Sequence, residues 1–301
     1  MQVALTGGTG FIGRALLRRL LEQGHTVRLA GRRRPPDLDA PVAFSHWDVL
    51  AGGPPAEFLE GAEAVIHMAG EPVAQRWTAK AKARIRASRV EATRQLVQAL
   101  AETAQRPRTL VCASAIGIYG ARGDEWLSED SPPGRGFLAE LAQAWEMEAR
   151  AAEAWGLRVV RLRIGVVLGP DGGALARMLP VFRLGLGGKL GSGRQWMSWI
   201  HLHDLIELIL WAVGETRLCG AVNATAPNPV SNAEFTRVLA QVLRRPAIMR
   251  VPAFALRMAL GEMASVLLDS QRVRPEAALV ARFQFRWPEL GPALGDLLRR
   301  V

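Results

Sequence analysis

The sequence predicts an α/β fold in which a doubly wound parallel sheet carries helices on both faces and a smaller C-terminal lobe lies over its open side. Three observations carry the prediction. Apolar runs too continuous to leave one face in water alternate with amphipathic stretches. A glycine-rich turn joins the first apolar run to the first amphipathic one, and glycines crowd the chain again beyond position 170. A chain of 301 residues with 49% apolar content can bury the core this requires.

The elements follow in order. Val3 to Leu5 read as a buried strand, and Arg14 to Gln23 as a helix with Leu16, Leu17, Leu20 and Leu21 on its apolar face and Gly24 closing it. Strands are predicted at Thr26 to Ala30, Val42 to Phe44 and Ala64 to Met68, then one long helix near Thr78 to Ala104 and a strand at Leu110 to Ala113. A helix near Leu138 to Trp155 leads into the strand Arg158 to Leu162. Gly172, Gly173, Gly185, Gly187, Gly188, Gly191 and Gly193 then read as loops over a ligand, and helices near Asn232 to Leu243 and Phe254 to Leu268 as a cover for the cleft. The division is a core at 1–170 and a lobe at 171–301, with some elements of the second part returning to the core.

The first turn reads as a Rossmann-type phosphate site. Gly7 permits the tight turn, Gly10 lets the backbone approach a pyrophosphate, and Gly13 lets helix and strand pack closely. Cofactor contacts are expected from Gly7, Thr9, Gly10, Phe11, Ile12 and Gly13. The end of the second strand, where an acid normally binds the ribose of NAD, holds Gly31 followed by Arg32 and Arg33. Nothing there repels a 2′-phosphate and a guanidinium can grip one, so the expected cofactor is NADP(H). Arg34, before Pro35 and Pro36, reads as part of a solvated loop.

The net charge of +10 does not by itself indicate nucleic acid, because the basic residues are spread along the chain and nearly all are arginine, with lysine only at 80, 82 and 189. Nucleic-acid binding through that surface is kept as a minor alternative. No apolar segment reaches membrane-spanning length and no leader precedes the first strand, so a cytoplasmic protein with no membrane partner is expected. Cys112 and Cys219 show neither a disulfide framework nor metal-ligand spacing.

Thr6-Gly-Gly-Thr-Gly-Phe-Ile-Gly13, Val65-Ile-His-Met-Ala-Gly-Glu-Pro72 and Ser114-Ala-Ile-Gly-Ile-Tyr-Gly120 resemble the extended short-chain dehydrogenase/reductases. The Phe182 to Trp196 stretch, Trp199-Ile-His201, Val222 to Pro229 and a C-terminal segment ending in Phe283 to Leu290 resemble an atypical branch called epimerase-like or SulA-like. The resemblance implies that Asp48 binds the adenine amino group, that Met68, Ala69 and Gly70 line the nucleotide ribose, and that Arg89, in place of the relatives' asparagine, either reaches the cofactor or sits on a helix surface.

The same resemblance exposes an absence. The superfamily uses a Tyr-x-x-x-Lys pair on one helix face, the tyrosine as acid/base and the lysine to hold the nicotinamide ribose and lower the tyrosine pKa. Aligned on Glu129 to Pro133, this chain has Phe137 and Leu141 at those positions, and its sole tyrosine is Tyr119. Met197 stands where nucleotide-sugar relatives often carry a phosphate-binding arginine, with Arg194 near enough to substitute.

The candidates for chemistry are Ser114, which matches the substrate-binding serine or else caps a helix, and Tyr119, a displaced proton donor or else a packing residue. His201 is expected to fix a strand, Glu71 to act at the site or cap a loop, and Trp196 and Trp199 to wall a pocket or fill core. The expected function is an NADP(H)-dependent reductase or epimerase-like oxidoreductase on a small carbonyl or alcohol. The alternative is a non-catalytic NADPH-responsive regulator linked to cell division.

Overall fold

The computed structural model describes residues 1–35 and 42–299. Among these, seven parallel strands form the central sheet: β1 (Gln2–Thr6), β2 (Thr26–Gly31), β3 (Val42–His46), β4 (Ala64–His67), β5 (Thr109–Ala115), β6 (Arg158–Ile164) and β7 (Gly220–Ala224). Their order is β7-β6-β5-β4-β1-β2-β3, so the winding reverses between β1 and β4. A crevice opens at the carboxyl ends of strands at such a reversal. The longer helices are α1 (Phe11–Glu22), α2 (Ala79–Ala87), α3 (Val90–Glu102), α4 (Phe137–Arg150), α5 (Gly173–Arg183), α6 (Leu202–Gly214), α7 (Asn232–Leu243) and α8 (Leu290–Arg299).

The period of two along each strand distributes the core. Val3, Leu5, Leu29, Ile66 and Val111 point to the face covered by α1 and α6, while Ala4, Ala30, Val65, Leu110 and Cys112 point to the face covered by α3 and α4. Leu16 and Leu20 of α1 are fully buried, each worth roughly 1.5 to 3 kcal/mol of transfer free energy. A third cluster, centred on Trp199, Phe235, Leu239 and Leu294, joins α5, α7 and α8. Helix α6 and strand β7 come from the second part of the chain yet complete the central sheet and one of its covers.

Several elements differ from the sequence expectation. Helix α1 starts at Phe11 because Gly10, in an extended conformation, caps it. The expected single helix from 78 to 104 is broken into α2 and α3: Ser88 Oγ donates to the Ile85 carbonyl and accepts from the Glu71 N–H, and Arg89 leaves regular helix geometry at φ −116°. Strand β5 extends through Ala115, so Ser114 lies within it and is not a helix cap. The stretch expected as loops contains α5, whose Leu175, Leu179 and Phe182 are buried; helical spacing there outweighs the flanking glycines. The predicted helix from 254 to 268 divides at Gly261, whose φ of +62° ends Ala253–Leu260.

The C-terminal segment is laced to the core. Asp204 accepts the backbone N–H groups of Arg286 (3.1 Å) and Trp287 (2.8 Å), and Ser198 Oγ accepts from Val273 N while donating to the Gln271 carbonyl, both at 2.8 Å. No helix among the described residues is long and apolar enough to cross a membrane.

Candidate functional site

The β1–α1 turn is a cradle built from three differently constrained glycines. Gly7 has φ +72°, and a Cβ there would stand 2.7 Å from the Met68 carbonyl group. A Cβ on Gly13 would stand 2.1 Å from the Gly7 carbonyl oxygen, whereas one on Gly10 would meet only that oxygen, at 3.4 Å. Gly7 and Gly13 are therefore fixed by the protein's own packing, and Gly10 leaves its side of the turn open to a ligand. The first N–H groups of α1, from Phe11 to Gly13, have no acceptor within the helix, and its first turn carries no acid.

Behind this cradle Thr6 Oγ sits 2.8 Å from His67 Nδ1 and accepts the N–H groups of Met68 (3.1 Å) and Ala69 (3.2 Å), which fixes the chain leaving β4. Burial, assisted by the nearby Arg89 charge, pushes the His67 pKa down to about 4, so the ring is neutral. Because both lone pairs of Thr6 Oγ already accept N–H groups, its proton is directed to Nδ1.

Two cavities extend from the cradle toward β2 and β3. One, of about 260 Å³, is bordered by Gly7, Gly10, Gly31, Asp48, Met68, Ala69 and Gly70; Asp48 Oδ1 accepts from Leu50 N at 3.1 Å. The other, of about 630 Å³, is bordered by Thr9, Arg14, Arg32, Arg33, Arg34 and Pro35. Four guanidinium groups thus ring a hollow with no carboxylate among its described lining residues. Arg14 and Arg34 join it, although the sequence reading assigns Arg34 to a solvated loop and gives Arg14 no contact; Arg14 follows from its place one turn into α1.

Toward β5 and β6 the cradle opens into an inner cavity of about 370 Å³, where Ile12, Gly70, Arg89, Ser114, Leu141 and Trp145 meet. The Arg89 guanidinium packs on Gly70, lies 5.3 Å from the Trp145 ring centroid, and donates to the Glu71 carbonyl at 2.9 Å. Burial pushes its pKa down to about 10, which leaves it charged at neutral pH. Leu141 lines this cavity, and Phe137 stacks edge-on against Trp77 at 5.0 Å. Neither can carry a proton.

Beneath Ser114 lies a buried polar network. Ser114 Oγ donates to Glu146 Oε1 at 2.7 Å, and the Glu146 carboxylate receives Arg163 through Nε at 2.8 Å and Nη2 at 3.0 Å. Burial opposes the Arg163 charge, but Glu146 outweighs it and holds the proton more firmly than usual. Arg163 Nη1 donates to Tyr119 Oη at 2.9 Å, and Tyr119 donates to Asn223 Oδ1 at 2.7 Å. Tyr119 is completely buried, and burial raises its pKa against the partial offset of Arg163.

An outer cavity of about 500 Å³ adjoins the inner one, since Ala115 and Gly165 line the inner cavity while Ile116 and Val166 line the outer. Its wall includes Met178, Trp196, Met197, Met263, Val266 and Leu267, with Arg177 and Asp269 as its charged members. Trp196 is held by Asp124 Oδ1, which accepts its Nε1–H at 2.8 Å, and by the Arg272 guanidinium 4.0 Å from its ring.

Of the residues singled out from sequence, Gly7, Thr9, Gly10, Ile12, Gly31, Arg32, Arg33, Asp48, Met68, Ala69, Gly70, Arg89 and Ser114 border this connected system. Phe11 turns its ring against Gly169, Gly172 and Gly173, and Gly13 is buried under Gly7. Tyr119, Arg194 and His201 border none of these cavities. His201 Nδ1 accepts from His203 N to cap α6, and its ring stacks on Trp287 at 5.3 Å. Glu71 pairs with Arg84, and Trp199 is core. Sequence reasoning missed Glu146 and Arg163. A signal existed: Arg158 and Arg161 fall in a strand predicted to be covered on both faces and Arg163 directly follows it, which demands buried counter-charge.

A parallel sheet whose switch point opens on a glycine cradle defines a dinucleotide-binding α/β protein. The NAD dependent epimerase/dehydratase family model matches residues 3–223, and the chain belongs to that family. A domain of unknown function, DUF1731, matches residues 251–297. Among curated relatives, the epimerase family protein YfhF of Bacillus subtilis is 38% identical over 299 residues, covering 99% of this chain and 98% of its own. The chloroplastic SDR39U1 homolog of Arabidopsis thaliana is 40% identical over 311 residues, covering 99% and 87%. Among solved structures, human epimerase family protein SDR39U1 (isoform 2), crystallised with NADPH, superposes with a TM-score of 0.90 at 34% identity and full coverage of both chains.

Proposed function

We propose that this chain binds NADP(H) and acts as an oxidoreductase of the epimerase-like, SulA-like branch on a small carbonyl or alcohol. The observation that carries the cofactor choice is the ring of Arg14, Arg32, Arg33 and Arg34 beside the glycine cradle, with Gly31 where an acid would select NAD. The human relative's complex with NADPH supports the same choice. The open side of Gly10 and the free N–H groups of α1 fit a pyrophosphate, Asp48 fits an adenine amino group, and Arg32 and Arg33 fit a 2′-phosphate.

When bound, the nicotinamide supplies or takes up a hydride. The chain's own residues then have separable tasks: Ser114 holds the substrate oxygen, Arg89 supplies the cation that the missing lysine would give, and Leu141 and Trp145 form an apolar wall of the inner cavity. The accompanying proton exchanges with solvent, because Phe137 cannot carry it. We assign Tyr119 to holding Arg163 and Asn223 in place, since its hydroxyl is committed to both. A non-catalytic, NADPH-responsive role is the second reading, favoured by Phe137 and Leu141.

The test is a fluorescence titration of the protein with NADPH and with NADH, repeated on Arg32→Ala. A charge-assisted contact of roughly 1.5 to 3 kcal/mol corresponds to about a tenfold to hundredfold preference. Selective NADPH binding that the substitution erases supports the assignment; equal binding of both nucleotides overturns the 2′-phosphate site.

A further inference from the structure

We infer that the ligand held against Ser114 presents a hydrogen-bond donor, an alcohol hydroxyl, on an apolar body that bears no phosphate. The inference rests on the cofactor reading above and names the substrate class of the same site. Its first half follows from the polarity of one hydrogen bond. A serine hydroxyl has a single proton, and here that proton is directed to Glu146 Oε1 at 2.7 Å. The direction is fixed from the far side, because Arg163 Nε and Nη2 fork onto both carboxylate oxygens at 2.8 and 3.0 Å, an arrangement that takes a carboxylate, which only accepts. Ser114 therefore offers the inner cavity lone pairs alone. An alcohol can donate to them, whereas a ketone oxygen set against them finds no donor.

The second half follows from the outer cavity. Methionine and aliphatic side chains dominate its wall, with Trp196 as an aromatic face. A diphosphate bridge would need matched cations there. Arg177 is the one cation among the described lining residues, and Asp269 lines the same space. Met197 takes part in the wall, and Arg194 does not.

The test uses menthol and menthone, an apolar alcohol and its ketone, with UDP-glucose as the phosphate-bearing comparison. Each is titrated calorimetrically into protein saturated with the redox-inert tetrahydro derivative of NADPH, whose own binding is measured first. Menthol is expected to bind about threefold to tenfold more tightly than menthone, the range of one neutral hydrogen bond. Ser114→Ala should level the two. Equal or tighter binding of menthone to the parent protein, a preference that survives Ser114→Ala, tighter binding of UDP-glucose, or capture of neither small molecule by the loaded protein each overturns the inference and leaves the cofactor reading standing. Failure of the dinucleotide itself to bind overturns both.

Discussion

Arg163 and Glu146 face each other as a two-bond fork buried between β6 and α4, at 2.8 Å from Nε to Oε1 and 3.0 Å from Nη2 to Oε2. The pair supports the cavity on one side through Ser114 and the sheet edge on the other through Tyr119 and Asn223. A conventional site of this family would place its proton-carrying side chain on α4. Here that helix contributes Glu146, which faces Ser114 from below.

Removing one member of the fork should cost far more than removing both. Arg163→Leu leaves a buried carboxylate whose remaining partners are the Ser114 hydroxyl and the more distant Arg161 guanidinium, at 3.5 Å, and should destabilise the fold by about 3 to 5 kcal/mol. The double variant Arg163→Leu with Glu146→Leu should regain most of that loss. Urea unfolding of the two single variants and the double variant completes the cycle, and additive losses would show that the pair does not act as a unit.

The glycines of the cradle should separate into a structural and a functional class. Gly13→Ala puts a methyl 2.1 Å from a backbone oxygen, so the turn must shift and the melting temperature should fall sharply. Gly10→Ala has room in the protein alone and should leave the melting temperature nearly unchanged while weakening NADPH at least tenfold. Thermal unfolding and nucleotide titration of both variants decide it; unimpaired NADPH binding by Gly10→Ala would remove the pyrophosphate from this turn.

Neutral His67 ties stability to pH in a defined direction. Its pKa is depressed from an ordinary value near 6.5 to about 4, by burial first and by Arg89 second. Between those values the unfolded chain binds a proton that the folded one does not, so stability present at pH 7 drains away as pH falls through this window. The shift corresponds to roughly 3 kcal/mol in all. His67→Asn retains an acceptor for Thr6 and lacks the titration. The difference in unfolding free energy between pH 7 and pH 4.5 should therefore be smaller in this variant than in the parent, and an unchanged difference would mean that His67 is not the linked group.

The parts of this architecture that were legible in the sequence are those set by local periodicity. Val3 to Leu5, the glycine turn and the leucines of α1 specify their structure within some twenty residues, and Arg32, directly after Gly31, borders the hollow beside the cradle. What escaped depended on partners far along the chain. Glu146 sits among the charges of Trp145-Glu-Met-Glu148 and reads as helix surface until β6 brings Arg163 against it. The break at Ser88 and Arg89 was hidden for the same reason: Ser88 is turned out of the helix by the Glu71 backbone, seventeen residues earlier. Tyr119 attracted a chemical role as the sole tyrosine, yet its partner Asn223 lies 104 residues away.

Tyr119 gives the last test, because holding a network and moving a proton predict opposite outcomes. Its hydroxyl donates to Asn223 and accepts from Arg163 with no exposure to solvent. Tyr119→Phe strands a buried amide oxygen and one guanidinium N–H, and should lower stability by about 1 to 3 kcal/mol. If the residue only holds the network, NADPH affinity and any measured turnover stay within twofold of the parent at temperatures where both are folded. Native stability with turnover reduced a hundredfold or more would instead place the transferred proton on this hydroxyl, and would require Arg163 and Asn223 to yield it during the reaction.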